Sequence, residues 1–370
     1  MIYFDSAATT LQKPPSVAEA VARAIRTHAS VGRGGHPAAE RAAQTVFACR
    51  SLAGQLFDAA PEQVVFTMNA THGLNLAIKT LVKPGDRVIV SGFEHNAVLR
   101  PLHAVGAELT VVGTALFRPD RLLEELAQAL ARRPAAVVCT HVSNVFGYIL
   151  PLADIAALCR MHGVPLIVDA SQSAGTLPVS LEKTGAAFIA MPGHKGLYGP
   201  QGTGLLLCAM PGRPLLEGGT GSNSEQITMP DFLPDRLEAG THNVCGIAGL
   251  LEGLRFVRRT TPERIFRREA TLVRLLERKT APIAGLHGFF GEQQSGVVSF
   301  RAATTDCEEA AQRLASEGIA VRAGLHCAPL AHRSAGTFAT GTFRVSFSAF
   351  NTPAEVERFA VVCNKMFSKK

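Results

Sequence analysis

The chain is 370 residues long, 47% hydrophobic and 18% charged, with a formal net charge of +7. That composition excludes intrinsic disorder, and a length beyond the usual size of one core points to two domains. No apolar run reaches the ~18–20 residues of a membrane helix, and Met1 to Asp5 opens without the basic and apolar stretches of a secretory leader.

An irregular lead over residues 1–15 ends at Lys13-Pro-Pro15. Ser16, with Glu19 three residues on, has capping-box spacing and predicts an Ala-rich helix towards Ala29. A glycine-rich loop, Val31 to His36, leads to a helix over Pro37–Phe57. Gln63–Thr67 reads as a strand and Thr71–Val82 as a helix with Leu74, Ile78 and Leu81 on one side. Short apolar strands follow at Arg87–Val90, Leu109–Val112, Ala136–Cys139, Pro165–Val168, Ala186–Ala190 and Leu205–Cys208. Helices are expected between several of them, at Ala97–Val105, Arg121–Ala131 and Leu152–His162. Such alternation predicts an α/β domain whose mainly parallel sheet is covered on both faces, with ligands at the carboxyl ends of its strands. Residues 211–245 are loop-rich. Beyond them come helices at Ile247–Val257 and Pro262–Thr280, strands at Gly296–Phe300 and Thr342–Ser346, and helices over 306–317 and 353–367, a smaller α+β domain. The expected division is a lead over 1–15, a large domain over 16–250 and a small one over 251–370.

The eight cysteines are scattered, without a Cys-x-x-Cys pair or metal-type spacing; they read as reduced thiols of a cytoplasmic protein with no bound metal. Basic residues are dispersed and tryptophan is absent. The densest basic segment, Arg255 to Arg278, interleaves apolar residues and glutamates like a solvated helix face. Neither nucleic acid nor membrane is an expected partner.

Chemistry concentrates around Met191-Pro-Gly-His-Lys195-Gly, a loop between two apolar strands. A lysine there is either a solvated turn residue or, partly desolvated, an amine able to form a Schiff base with a carbonyl. Asp169 ends the strand before it, where it serves as a helix cap or as a carboxylate at the ligand edge. An acid for a pyridinium nitrogen and a Schiff-base lysine are the parts a pyridoxal 5′-phosphate (PLP) site requires. Thr67 to Gly73 joins a strand to a helix whose first N–H groups, with the Thr71 hydroxyl, suit a phosphate. His95 and Asn144 follow other strand ends. Each has an ordinary reading, helix entry or turn, beside a role as ring-stacking partner or ligand contact. Cys327 is either an inert small residue or, near His326 and Arg322, a reactive thiol.

Taken in order, Glu94-His95, Ser143-Asn144, Asp169-Ala-Ser-Gln172, Gly193-His194-Lys195, Glu238-Ala-Gly-Thr241, Arg322-Ala-Gly-Leu-His-Cys327 and Arg344 resemble the cysteine desulfurase/selenocysteine lyase family. These are PLP enzymes of fold type I in the class V aminotransferase group, and the short-chain branch is the nearest. The resemblance runs from Phe4 to Thr352. It implies a seven-stranded, mainly parallel sheet and a homodimer with shared active sites. Lys195 would hold PLP and move the proton on the substrate Cα, Asp169 would pair with the ring nitrogen, Gln172 would bond the ring hydroxyl, and His95 would stack on the ring. Thr71 and His194 would hold the phosphate with Thr241 from the second subunit. Pro192 and Ala70 stand where relatives carry hydroxyl donors, so backbone amides take a larger share. Arg344 would clamp the substrate carboxylate, with Asn144, Arg322 and the neighbouring subunit's His36 nearby. Cys327 would take sulfur from L-cysteine as a persulfide, releasing L-alanine and later serving a sulfur-acceptor protein. Selenocysteine lyase activity, or another PLP reaction that does not need Cys327, are the alternatives within the fold. A non-catalytic binding subunit of the same fold, serving as a partner or regulator, is the alternative outside catalysis.

Overall fold

The computed structural model describes every residue except Arg33, Lys369 and Lys370, so Arg33 of the expected loop before Pro37 lies outside the described residues. The large domain contains helices α1 (Pro15–Thr27) and α2 (Pro37–Phe57), then β2 (Val64–Thr67), α3 (Ala70–Leu81), β3 (Arg87–Ser91), α4 (Asn96–Val105), β4 (Glu108–Val112), α5 (Pro119–Leu130), β5 (Ala136–Thr140), α6 (Leu152–Met161), β6 (Leu166–Asp169), the single turn α7 (Leu181–Thr184), β7 (Phe188–Pro192), β8 (Gly204–Cys208) and α8 (Val244–Thr260). A two-residue strand, β1 (Ile2–Tyr3), precedes them. The rest comprises α9 (Pro262–Thr280), β9 (Leu286–Gly288), β10 (Val297–Ala302), α10 (Cys307–Ser316), β11 (Ile319–Ala320), β12 (Arg322–Gly324), α11 (Pro329–Ser334), β13 (Thr342–Ser346) and α12 (Pro353–Phe367).

Seven strands form the large sheet in the order β2-β8-β7-β6-β5-β3-β4, and β8 alone runs antiparallel to its neighbours. Its continuously apolar strands feed two cores, because successive side chains alternate across a sheet. Ile89, Val137, Cys139, Leu166, Val168, Ile189, Leu205 and Leu207 join the core on one face. Val88, Val90, Ala136, Val138, Ile167, Phe188, Ala190, Leu206 and Cys208 join the core on the other. The first core includes α2, α5, α6 and α8, and the second includes α3 and α4. Both faces are therefore covered, as parallel sheets require.

The smaller sheet is antiparallel, β12-β13-β10-β9, and has its own core built around Phe300, Phe343, Val345 and Phe359. β1 pairs in parallel with β11 and Phe4 is buried in this core, which ties the N-terminal lead to the small domain. The expected boundary after residue 250 falls inside α8, which packs as one helix on α1 and α2; the chain turns out of it at Thr261, where φ is 69°. The expected capping box at Ser16 does not form. Pro15 occupies the first helical position, where its fixed φ and missing N–H suit a helix start, so Pro14 is the cap residue and Ser16 lies within the first turn.

Candidate active site

Strand ends and loops converge on a cavity of about 180 Å³ lined by Ala70, Thr71, His95, Asn144, Asp169, Gln172, His194, Lys195, Arg322, Cys327 and Arg344. Eleven of the thirteen expected site residues therefore meet in one place. Thr241 and His36 do not join it within this chain. Thr241 is exposed on a neighbouring depression shared with Phe66, His72 and Glu238. His36 is exposed at the start of α2, where its Nδ1 accepts from the Ala39 N–H at 3.4 Å.

Lys195 sits between β7 and β8 on a loop pressed against the turn after Asp169. A Cβ on Gly196 would lie 2.4 Å from the Ala174 carbonyl oxygen, so only glycine permits this approach. The lysine keeps a partly exposed face towards the cavity while protein encloses its amine. Burial lowers the amine pKa to about 8, against the opposing pull of the Asp169 carboxylate, and Arg344 and Arg322 lower it further. An amine with that pKa can serve as a nucleophile or as a base, and its enclosure is unlike that of a lysine on a solvated turn.

Asp169 is 2% exposed at the end of β6. One carboxylate oxygen accepts from the Ser171 N–H at 2.9 Å, a local turn rather than the cap of an α-helix. His95 takes the helix-entry position expected of it and also faces the cavity. Its Nδ1 caps α4 by accepting from the Ala97 N–H at 3.0 Å, and its ring lines the cavity. Burial lowers its pKa to about 4, so the ring is neutral. At the mouth of α3 the Asn69 side chain accepts from the His72 N–H at 3.0 Å. The first-turn N–H groups of Ala70 and Thr71 are left to face a ligand. His194, whose pKa burial lowers to about 4, has a buried Nδ1 with no partner.

Arg344 lies in the middle of β13 and is 2% exposed. One terminal nitrogen donates to the Asn144 carbonyl at 2.9 Å and the other to Asp5 Oδ1 at 2.7 Å, while its buried Nε–H has no partner. Asn144 also donates from Nδ2 to the His326 carbonyl at 2.8 Å, so it links the arginine to the cysteine loop. Within that loop His326 and Cys327 have φ of 49° and 56°, a costly left-handed pair for residues with side chains. The Cys327 carbonyl accepting from the Asn96 N–H at 2.7 Å, and His326 Nε2 donating to the Thr342 carbonyl at 3.1 Å, hold it there. Cys327 is the exposed one among the chain's eight free cysteines.

Several contributors carry little sequence signal. The lead over residues 5–10 is bolted to three parts of the site: Asp5 to Arg344, the Ala7 carbonyl to Gln172 Nε2 at 2.9 Å, and Thr9 and Thr10 to the His194 carbonyl. Behind His95, Glu94 is fully buried, accepts from the Ser91 hydroxyl and the Thr140 N–H, and has its pKa pushed up by burial to about 8.

The donor set fits PLP. A depressed amine, a carboxylate at a strand end, free helix N–H groups and an unpartnered His194 nitrogen match an aldehyde, a ring nitrogen and a phosphate. Among the described residues no cluster of His, Cys, Asp and Glu could hold a metal, and no helix is long and apolar enough to cross a membrane.

Comparison with known proteins bears on the family and the fold. Residues 2–359 match the family model for class-V aminotransferases. A probable cysteine desulfurase of Pyrococcus abyssi is 31% identical, over 99% of this chain and 94% of that protein. A cysteine desulfurase of Cronobacter sakazakii is 34% identical, over 97% and 91%. Among solved structures, the apo cysteine desulfurase of Thermococcus onnurineus NA1 superposes with a TM-score of 0.91 at 30% identity, covering 99% of this chain and 94% of that one. The chain belongs to the class-V aminotransferase family, among the cysteine desulfurases.

Proposed function

We propose that this protein is a PLP-dependent cysteine desulfurase that converts L-cysteine to L-alanine and carries the removed sulfur as a persulfide on Cys327. The observation that carries the reading is the convergence of Lys195, Asp169, Arg344 and Cys327 on one small cavity. PLP, when bound, supplies an electron-accepting ring that makes the substrate Cα–H acidic. Lys195 Nζ holds the cofactor before substrate arrives and afterwards takes and returns the Cα proton, a task suited to an amine with a pKa of about 8. Asp169 keeps the ring nitrogen protonated, and His95, neutral, covers a ring face. Gln172, one of whose amide N–H groups already bonds Ala7, reaches the ring hydroxyl. Thr71, the N-terminus of α3 and His194 Nδ1 hold the phosphate. Arg344 takes the substrate carboxylate, with Asn144 and Arg322 beside it.

Cys327 acts as a thiolate on the substrate sulfur. A sulfur–sulfur bond forms, the Cβ–S bond breaks, and its electron pair stays with the substrate carbon, which is protonated to give alanine. In the proposed assembly, a cytoplasmic homodimer, Thr241 and His36 of each subunit complete the other's site, and an acceptor protein collects sulfur from Cys327.

The test is alanine formation from L-cysteine by the PLP-loaded protein and by Cys327→Ala. The variant is expected to keep the visible absorbance of the bound cofactor and to lose alanine formation by at least about a hundredfold, the scale on which removal of a nucleophile acts. Undiminished alanine formation by the variant would overturn the role of Cys327.

A further inference from the structure

Arg344 and Arg322 are register partners on adjacent strands β13 and β12. Like charges placed directly across a strand pair repel, and both side chains line the cavity. Arg344 is also almost wholly buried, where an unpaired charge is costly. The carboxylate on it comes from Asp5, 339 residues away in the chain, with Oδ1 at 2.7 Å from a terminal guanidinium nitrogen. Asp5 is fixed by register rather than by a flexible tether. Its backbone bridges Ser346, two residues beyond Arg344 on the same strand face. The Ser346 N–H donates to the Phe4 carbonyl at 2.7 Å, and the Ala7 N–H donates to the Ser346 hydroxyl at 2.9 Å. With Asn144 holding the other terminal nitrogen, the guanidinium is immobilised, and its Nε–H is a buried donor without an acceptor.

We propose that Asp5 is the positioning residue of the substrate-carboxylate site: it locks Arg344 through one terminal nitrogen and so fixes the guanidinium in the cavity wall for the α-carboxylate of an amino acid. Asp5 balances one of the two positive charges that Arg344 and Arg322 bring to the cavity, and the incoming carboxylate balances the second. The inference rests on the desulfurase reading for the identity of the substrate, but its geometry holds for any α-amino acid bound by Arg344.

The test uses PLP-loaded wild type, Asp5→Ala and Asp5→Asn with L-cysteine and with L-cysteine methyl ester, which lacks the carboxylate. Asp5→Ala is expected to raise KM for cysteine about tenfold or more with kcat changed far less, since a charge-assisted hydrogen bond that orients the arginine is lost. Asp5→Asn, whose amide oxygen still accepts from Arg344, is expected to raise it about threefold, and the ester is expected to be handled alike by all three proteins. A fall in KM would show that Asp5 competes with substrate, and equal losses for acid and ester would show that it only ties down the lead; either result overturns the proposal. If Asp5→Ala does not fold, the acid-to-ester ratio of Asp5→Asn decides alone. A wild type that makes no alanine from cysteine sinks the desulfurase reading instead. The role of Asp5 is then judged by the same ratio, measured as cofactor absorbance titrated with L-alanine and with L-alanine methyl ester.

Discussion

The depressed amine of Lys195 makes a quantitative prediction about cofactor capture. An ordinary lysine, with a pKa near 10.5, is neutral in about one molecule per thousand at pH 7.5, whereas a pKa of about 8 leaves about one in four neutral. Only the neutral amine attacks an aldehyde, so burial raises the reactive population roughly two-hundredfold at that pH. Stopped-flow absorbance of cofactor-free protein mixed with PLP should show a capture rate that climbs about tenfold per pH unit below 7 and levels off above about 8. Capture by a free lysine derivative serves as the control for the titration of PLP itself. Asp169 raises the amine pKa while burial and the two arginines lower it, so Asp169→Asn should move the inflection to lower pH. A rate that rises unbroken towards pH 10, or an inflection that moves upward in Asp169→Asn, would refute the account of how this lysine is activated.

Two further predictions concern the scaffold. Glu269 is buried on α9 and its pKa is raised by burial to about 8, so the folded state holds a proton that the unfolded chain releases near 4.5. The contribution of Glu269 to stability should therefore fall as pH rises between those values, and Glu269→Gln should gain on wild type, by about 3 kcal/mol at pH 7 and by under about 1 at pH 5. Urea unfolding at the two pH values checks this, and equal differences would be contrary to it. Arg50 makes a two-pronged contact with buried Glu238 at 2.8 Å, and the same carboxylate takes the Phe66 N–H and His242 Nε2. Arg50→Ala should cost about 3–5 kcal/mol by stranding that carboxylate, and a loss under about 1 kcal/mol would mean the pair is easily replaced. Despite its burial, the bonds from His242 and Arg50 hold the Glu238 pKa below its usual value. Its contribution is therefore present above the ordinary carboxylate pKa and disappears as pH falls through the folded one.

What was legible in the sequence followed strong local signals. Helix α2 and strand β13 have the expected bounds, because each couples a sharp boundary residue to an uninterrupted pattern, Pro37 before an Ala-rich run and Gly341 before alternating apolar residues. Strands β9, β11 and β12 went unread because two or three residues carry no periodicity, and their state is decided by pairing with distant strands. The same limit applies to the site. Lys195, Asp169 and Cys327 stand out by residue type in context, whereas Asp5 and Glu94 acquire meaning only through partners far along the chain, Arg344 and Thr140. Ser16 shows the converse error: a correct spacing was overruled by the proline beside it.

The distribution of exposure across the site bears on how the proposed reaction is divided. Asp169 and Arg344 are each 2% exposed, and the Lys195 amine is enclosed, so the groups proposed to bind and deprotonate substrate sit where charges are poorly screened and hydrogen bonds are strong. Cys327 lines the same cavity but is exposed, and the backbone of its loop is held by bonds from α4 to its own carbonyl and from Asn144 to the His326 carbonyl. A buried cysteine would complete the sulfur transfer and then trap its product. A cysteine on a long free loop would offer the sulfur to any thiol and would pay loop entropy to return. The left-handed pair at His326 and Cys327 serves both ends: it turns the chain sharply enough to place the thiol at the rim and, tied at two carbonyls, keeps it there. Exposure at that one station is therefore what a sulfur carrier requires, and enclosure at the others is what the carbon chemistry requires.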